Sequence, residues 1–305
     1  MTTTIDPQRL RHIAEAAYRI RQHSLTQAEV QGQGYIGQAL DVADILAALY
    51  ADQLVLDPGD PEWEGRDRFL LSIGHYALAL YAALVEAKVL SEEELQTYAA
   101  DDSRLPMSAM ATYTPGVEIA GGSLGHGLGI ALGICLGLRR KNSDAHVYTL
   151  LSDGELDEGS TWEAAMVAAH HGLDNLIAIV DYNGLQADGP SQQMLGTEPI
   201  DEKFRSFGWH ARAVDGNDLT ALVPALEELR AHRGQPAALI CGTRVGRGVP
   251  MLESREKLHF MSVASDEWAA ARAQLTETFT AYLAGLEQAG AQDVALSSDD
   301  QEAAK

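Results

Sequence analysis

The sequence predicts an α/β fold, a mainly parallel sheet with helices on both faces. Three observations carry this prediction. First, short apolar runs of buried-strand character, RFLLSI (68–73), HVYTLLS (146–152), LIAIV (176–180) and AALIC (237–241), alternate with stretches of helical spacing, the order expected of βαβ units. Second, residues 150–190 hold a complete β-loop-α-β unit. Leu150-Leu151-Ser152 ends one strand, Asp153-Gly154 turns the backbone, and Gly159 to His171 is helical. Leu176 to Val180 is then the next strand. Third, an acid, Asp153, ends one strand of the unit, and an amide, Asn183, lies just past the next. Ligands of open α/β sheets sit beyond the carboxyl ends of the strands, so both side chains are expected in one crevice.

Taken in order, Pro7 to Val30 reads as a helix with Ile13, Ala17, Ile20 and Leu25 as its buried stripe. Residues 31–38 form a Gly-rich loop and Leu40 to Leu54 a second amphipathic helix. A Pro, Gly and acid loop (57–66) leads to the strand 68–73, then Gly74-His75, then a helix from Tyr76 to Ala87. Ser91 with Glu94 makes a capping box. Residues 101–116 are long and irregular, as functional or disordered loops are. The run Gly121-Gly122-Ser123-Leu124-Gly125-His126-Gly127 opens a helix that ends at Leu138. In the central helix Trp162, Ala165, Met166 and Ala169 are spaced to face inward. Trp209 to Val214 is a strand, Asp218 caps a helix to His232, Ala237 to Cys241 is a strand, and Asp266 to Gln288 is a last helix. One domain is expected over 1–290, with 291–305 a polar tail that frays toward its end.

Composition narrows the function. A chain of 305 residues can bury a large single core. A net charge of −22 argues against nucleic acid and against anionic membrane surfaces as partners. A phosphorylated substrate would need locally placed cations. Cys135 and Cys241 are the two cysteines, so neither a disulfide framework nor a zinc site is expected, and a reducing cytoplasm fits. No apolar run approaches the ~18 residues of a membrane span, and the N-terminus lacks a signal-peptide pattern.

A carboxylate and an amide oxygen at neighbouring strand ends are hard ligands, suited to Mg²⁺ or Ca²⁺. Mg²⁺ usually takes one or two carboxylates together with phosphate oxygens. Gly154 admits a phosphate close to the backbone, and the following helix start offers unpaired N–H groups. Each residue alone also has a plain reading, Asp153 as a helix cap and Asn183 as a turn former. Asp-Gly, a helix, a strand and Asn in this order resemble the thiamine diphosphate fingerprint, and the surrounding sequence resembles the transketolase family. The family writes Gly-Asp-Gly where this chain has Ser152-Asp153-Gly154. The resemblance implies that Asp153, Asn183 and the Leu185 carbonyl bind the ion and that Gly154 touches the diphosphate. It places Glu158 at a subunit interface beside the cofactor, and Asp188-Gly189 at the turn that closes the motif.

Other segments extend the resemblance over almost the whole chain. DRFLLSIGHYALALYAAL implies that His75 reaches cofactor and sugar. TPGVEIAGGSLGHG implies that Gly122, Ser123 and Leu124 line the aminopyrimidine end, with His126 where the family usually has Gln. GRGVPMLESREKLHF implies that His259 contacts diphosphate and substrate, with Arg247 and Lys257 supplying positive charge. Two departures affect the sugar pocket. The family's early loop reads Ser-Gly-His-Pro-Gly, whereas here Tyr35 holds the histidine position. Its middle loop reads Leu-x-Gly-His-Pro, whereas here Ser108 does. Tyr and Ser do not titrate near neutrality as imidazole does, so a remade donor pocket is expected, with His75, His259, Tyr35 and Ser108 as its catalytic candidates.

The match covers only the diphosphate-binding domain; the pyrimidine-binding domain, which carries the family's activating glutamate, is not matched. The resemblance therefore implies the N-terminal subunit of a split transketolase, dependent on thiamine diphosphate and Mg²⁺ and completed by a pyrimidine-domain subunit, by default as an α2β2 heterotetramer. Its implied reaction moves a two-carbon ketol unit from a ketose donor to an aldehyde acceptor. One alternative is a 2-oxo acid decarboxylase or dehydrogenase E1-like subunit on the same cofactor, favoured by the lost histidines and disfavoured by the TPGVE and GRGV segments. A second is a non-catalytic paralogue, against which the intact Asp153, Gly154, Asn183, His75 and His259 argue.

Overall fold

Five apolar segments pair in parallel to make the sheet: β1 (Arg68–Leu71), β2 (Val147–Ser152), β3 (Leu176–Tyr182), β4 (His210–Asp215) and β5 (Ala237–Gly242), in the order β1-β2-β3-β5-β4. The computed structural model describes residues 5–303. Register is continuous along each pair, with Leu150 opposite Ile179 and Val180 opposite Ile240. Side chains alternate across this sheet as the pleat requires. Tyr148 and Leu150 of β2, with Ile177 and Ile179 of β3, enter one core. Val147 and Leu151, with Leu176, Ala178 and Val180, enter the other.

The first core lies under α1 (Pro7–Gln31), α2 (Ile36–Asp41), α3 (Ala43–Ala48), α4 (Ala77–Glu86), α8 (Leu219–Ala231) and the start of α9 (Trp268–Ala303). The second lies under α5 (Gly127–Arg140), α6 (Gly159–His170) and α7 (Ile200–Ser206). Helices on both faces thus hold as expected. Ile13, Ala17, Ile20 and Leu25 are buried as read from their spacing, and Asp218 caps α8 through Thr220 N at 2.9 Å. The Ser91 backbone donates to Glu94 at 3.0 Å, the reciprocal half of a capping box, although only a 3₁₀ turn follows.

Two boundaries and one buried face differ from the sequence reading. The helix expected over 40–54 begins at Ile36, divides at Val42 (φ −83°, ψ 0°) and ends in a wide turn, Leu49–Gln53. Residues 36–49 are buried on every side, so no one-sided period marks the start. In α6 the buried face is Thr161, Ala164, Ala165 and Ala168, and Met166 points outward at 49% exposure. That helix is apolar nearly all round, which makes its inward stripe ambiguous from spacing. The last helix runs past Gln288 to Ala303, through a stretch that holds four alanines. Residues 304 and 305 of the expected tail lie outside the described residues.

One backbone crossing positions the site. The Gly121-Gly122 loop lies directly on the turn after β1: Gly122 N donates to Ser72 O (2.9 Å), Gly121 N to Ala109 O (3.2 Å) and Ala109 N to Gly74 O (3.0 Å). A Cβ on Gly121 would stand 2.2 Å from Leu71 O, and one on Gly74 2.3 Å from the Gly121 carbonyl carbon. Only glycine fits at either place. Gly121→Ala is therefore expected to cost about 1–3 kcal/mol, the range of overpacking changes. A melting temperature equal to the parent's would contradict the crossing.

Candidate active site

The site is built first on the tips of β2 and β3. Asp153 follows β2 and continues its ladder, its N–H donating to Asp181 O at 3.0 Å. Its carboxylate is fully buried. Oδ1 accepts from Gly154 N (2.9 Å), while Oδ2 accepts from Gly184 N (2.9 Å) and Ser191 Oγ (2.8 Å). Burial pushes its pKa up to about 6, and these hydrogen bonds pull the other way. Because Gly184 directly follows Asn183, the carboxylate and the amide are held at adjacent strand ends.

Asn183 is oriented by a buried acidic nest. Its Nδ2 donates to Asp181 Oδ2 at 2.6 Å and to Tyr76 Oη at 3.1 Å, with Asp41 Oδ2 at 3.4 Å. Tyr76 Oη in turn donates to Asp181 Oδ2 (2.9 Å), and Thr243 Oγ1 to Asp181 Oδ1. A nest of carboxylates fixes which end of the amide enters it, so Oδ1 is left facing the turn, where it accepts from Leu185 N at 3.0 Å. Burial raises Asp181 to about 7 and Asp41 well above the carboxylate range, each helped by a neighbouring acid. Two carboxylates in so dry a place do not both stay charged.

Gly154 opens a 3₁₀ turn whose Glu155 is buried. Glu155 Oε1 accepts from Gly125 N at 2.8 Å and from Ser72 Oγ, and Ser72 Oγ accepts from Gly127 N at 3.0 Å. This carboxylate ties the Asp153-Gly154 turn to the Gly-rich loop. Gly122 and Ser123 are exposed on that loop and Leu124 is half-buried. Glu158 is exposed at the start of α6. Ser108 Oγ reaches Gly121 O at 3.3 Å, one residue from Gly122.

The second group is aromatic. Gln33 and Gly34 pair antiparallel with Ser262 and Met261, which carries the early loop onto the His259 segment. Tyr35 then packs with ring centroids 4.5 Å from His75, 5.3 Å from His259 and 5.1 Å from Phe260. His75 and His259 are 5.8 Å apart. Tyr76 joins this cluster to the acidic nest, since its ring lies 4.9 Å from His75. Burial lowers His75 from 6.5 to about 4 and lowers His259 as well, against the pull of Asp188. Both rings are therefore neutral near pH 7. Arg247 lines a separate cleft with Tyr18, Arg21 and Phe279, and Lys257 is exposed beside Arg255 and Phe260.

A family model described as the thiamine diphosphate binding domain of transketolase matches residues 13–282. The chain belongs to the transketolase family. It is 62% identical over 260 residues to an uncharacterized transketolase family protein of Sinorhizobium fredii, covering 85% of this chain and 93% of that one. It is 38% identical to a 6-deoxy-6-sulfo-D-fructose transketolase subunit of Clostridium sp. strain MSTE9 (84% and 93% covered). It is 39% identical to an apulose-4-phosphate transketolase subunit of Actinobacillus succinogenes (77% and 84%). Transketolase of Leishmania mexicana superposes with a TM-score of 0.78 at 27% identity, covering 93% of this chain and 47% of that one. A Pichia stipitis transketolase variant crystallised with fructose 6-phosphate gives 0.78 at 27% (92% and 45%). The chain thus spans about half the length of these solved transketolases. The fold is the thiamine diphosphate-binding α/β fold, thiamine diphosphate is the cofactor of the matched domain, and the enzyme class is ketol transfer.

The residues that the resemblance points to are chemically suited to that group. Asp153 and Asn183 offer hard oxygens at adjacent strand ends, and at Gly154 a Cβ would lie 3.2 Å from Gln186 Cγ, the flexible side chain that covers this backbone. Among the described residues no group of three or more His, Cys, Asp or Glu is gathered to hold an ion. Sequence reasoning missed Asp41, Asp181, Glu155, Tyr76, Ser72 and Gln38. The one local signal was a polar residue inside an otherwise apolar helix, as at Gln38 and Asp41.

His75 makes a pH prediction. The unfolded chain binds a proton near 6.5, whereas the folded chain resists it until about 4. Stability from the neutral ring is full above the unfolded value and is lost as pH falls through the folded one. His75→Gln should flatten the decline of melting temperature across that interval. An acid slope equal to the parent's would contradict a buried, neutral His75.

Proposed function

We propose that this chain is the diphosphate-binding, N-terminal subunit of a two-chain transketolase, one domain over 1–290 with a C-terminal tail, working in the cytoplasm with thiamine diphosphate and Mg²⁺. The observation that supports this reading is the placement of Asp153 and Asn183 at adjacent strand tips, with Gly184 N donating to Asp153 Oδ2 and Leu185 N to Asn183 Oδ1. Coverage of 93% and 84% of two relatives named as subunits supports the split organisation. A pyrimidine-domain subunit would complete the cleft, in an α2β2 assembly. The outward side chains Ile130 of α5 and Met166 and Val167 of α6, each about two-fifths exposed or more, with Glu158 on the same rim, are the face we assign to subunit contact. In the described residues no helix is long and apolar enough to cross a membrane.

When bound, thiamine diphosphate supplies the nucleophile and electron sink for C–C cleavage and transfer of a two-carbon ketol unit. The chain's own residues bind and orient. Asp153, Asn183 Oδ1 and the Leu185 carbonyl would hold the ion, a set of one carboxylate and neutral oxygens that phosphate oxygens complete. Gly154 and His259 would face the diphosphate, and Gly122, Ser123 and Leu124 the aminopyrimidine end. His75, neutral at working pH, donates or accepts a hydrogen bond at the donor's hydroxyls, with Tyr35 and Ser108 at its sides. Tyr35 packs against both imidazoles, so the donor pocket is narrower and more aromatic than one lined by histidine. A site matched to particular hydroxyls rejects analogues strongly, and the donor is accordingly not the ordinary ketose phosphate.

The lost imidazoles at Tyr35 and Ser108 also favour a second reading, a 2-oxo acid decarboxylase or E1-like subunit. Carbon dioxide release from pyruvate by the reconstituted pair, without ketol transfer, would select it. With the partner present, the proposed enzyme should turn over xylulose 5-phosphate far more slowly than a ketose matched to its pocket. Ordinary transketolase rates on xylulose 5-phosphate would overturn the remade pocket. Asp153→Ala should abolish the melting shift given by Mg²⁺ with thiamine diphosphate. A shift of unchanged size would contradict the assigned site.

A further inference from the structure

Gln38 is a buried polar residue beside this cleft that the motifs do not account for. It lies in the first turn of α2, three residues after Tyr35, and is 1% exposed. The segment around it is apolar: Ile36, Ala39 and Leu40 are all fully buried. A primary amide has no packing reason to sit there, because burying it unpaired costs about 1–3 kcal/mol. Its Nε2 lies 3.3 Å from His259 Nδ1, and its Oε1 is buried without a partner. The fold holds this pair across 221 residues of sequence. The bridge of Gln33 and Gly34 to Ser262 and Met261 lies on one side, and Gly246 N donating to Gly37 O at 2.9 Å on the other.

We propose that Gln38 is a positioning residue that fixes His259 as the Nε2–H tautomer. An amide N–H that donates to Nδ1 requires a lone pair there, so a neutral ring carries its proton on Nε2. The ring is neutral near pH 7, for burial disfavours its charged form. His259 therefore presents an N–H donor, not an acceptor, to the cleft it shares with Tyr35 and His75. A donor at that place selects a ligand oxygen with a lone pair, such as a phosphate or carbonyl oxygen. Partners of this kind fix ring orientation and tautomer in metal sites, where their loss costs 10–100-fold in affinity. The same logic sets the expected magnitude here.

The inference rests on the proposed placement of His259 at the cofactor, and its test separates the two. Nitrogen-15 NMR of the histidine-labelled chain, free of cofactor, reads the His259 tautomer directly, with His259→Gln to assign the signal. A protonated Nε2 and bare Nδ1 are expected in the parent. Gln38→Leu should give a mixture of tautomers, and Gln38→Glu, whose carboxylate only accepts, should move the proton to Nδ1. With the partner subunit and Mg²⁺, Gln38→Leu should weaken thiamine diphosphate about tenfold. On a His259→Gln background the same change should have no further effect. A parent His259 protonated on Nδ1 would falsify the proposal. So would a Gln38→Leu loss that persists in full without His259, because Gln38 would then act through packing. If the parent pair binds no thiamine diphosphate while the tautomer is as expected, the functional reading fails and the role of Gln38 stands.

Discussion

The hydrogen bonds from Gly184 N and Ser191 Oγ to one oxygen of Asp153 hold this site together. They join the turn after β2 to the turn after β3. They also lock a fully buried carboxylate whose burial works against its charge. A carboxylate this dry is worth keeping only if something cationic arrives or its hydrogen bonds stay made. Everything else at the site is arranged around that choice. Asn183 is turned by the acids behind it so that its oxygen accepts from Leu185 N in the turn after β3. Glu155 pins the Gly-rich loop to the same turn.

The site is layered, with function separated from support. The outer layer is Tyr35, His75, Ser108 and His259, the side chains we propose to face the donor. Behind them Tyr76, Asp41, Asp181 and Thr243 form a buried polar nest that orients the amide. Buried polar networks carry high stakes: satisfied they specify one geometry, half-satisfied they cost stability. Asp41 Oδ1 and Gln38 Oε1, both from α2, lack partners. The turn after β2 likewise carries two such atoms, Glu155 Oε2 and Asp157 Oδ1. Tyr35 directly precedes α2 and its two unpaired atoms in the chain.

The sequence revealed the central unit well because its logic is local. Asp153 and Asn183 are separated by one helix and one strand, and βαβ geometry alone brings their ends together. The alternation of apolar residues in 146–152 and 176–180 likewise became two cores on two faces. Long-range assembly was not legible. Asp41 reaches Asn183 across 142 residues, and no local period announces such a meeting. Fully buried helices also hid their register: residues 36–49 show no polar face to mark a start, and the inward stripe of α6 was misplaced onto Met166. Arg247 was read as charge for the cleft because it sits in the GRGV motif, but the chain turns its side chain toward α1 and α9.

The central claim is that two oxygens at neighbouring strand tips, with one backbone carbonyl, hold the ion of a bound diphosphate. The most direct measurement is anomalous diffraction from crystals of the assembled subunits with thiamine diphosphate and Mn²⁺ in place of Mg²⁺. The account predicts one manganese peak about 2.1 Å from Asp153, Asn183 Oδ1 and the Leu185 carbonyl. A peak centred on Asp41 and Asp181 instead, or a diphosphate bound with no ion between these strand tips, would contradict it.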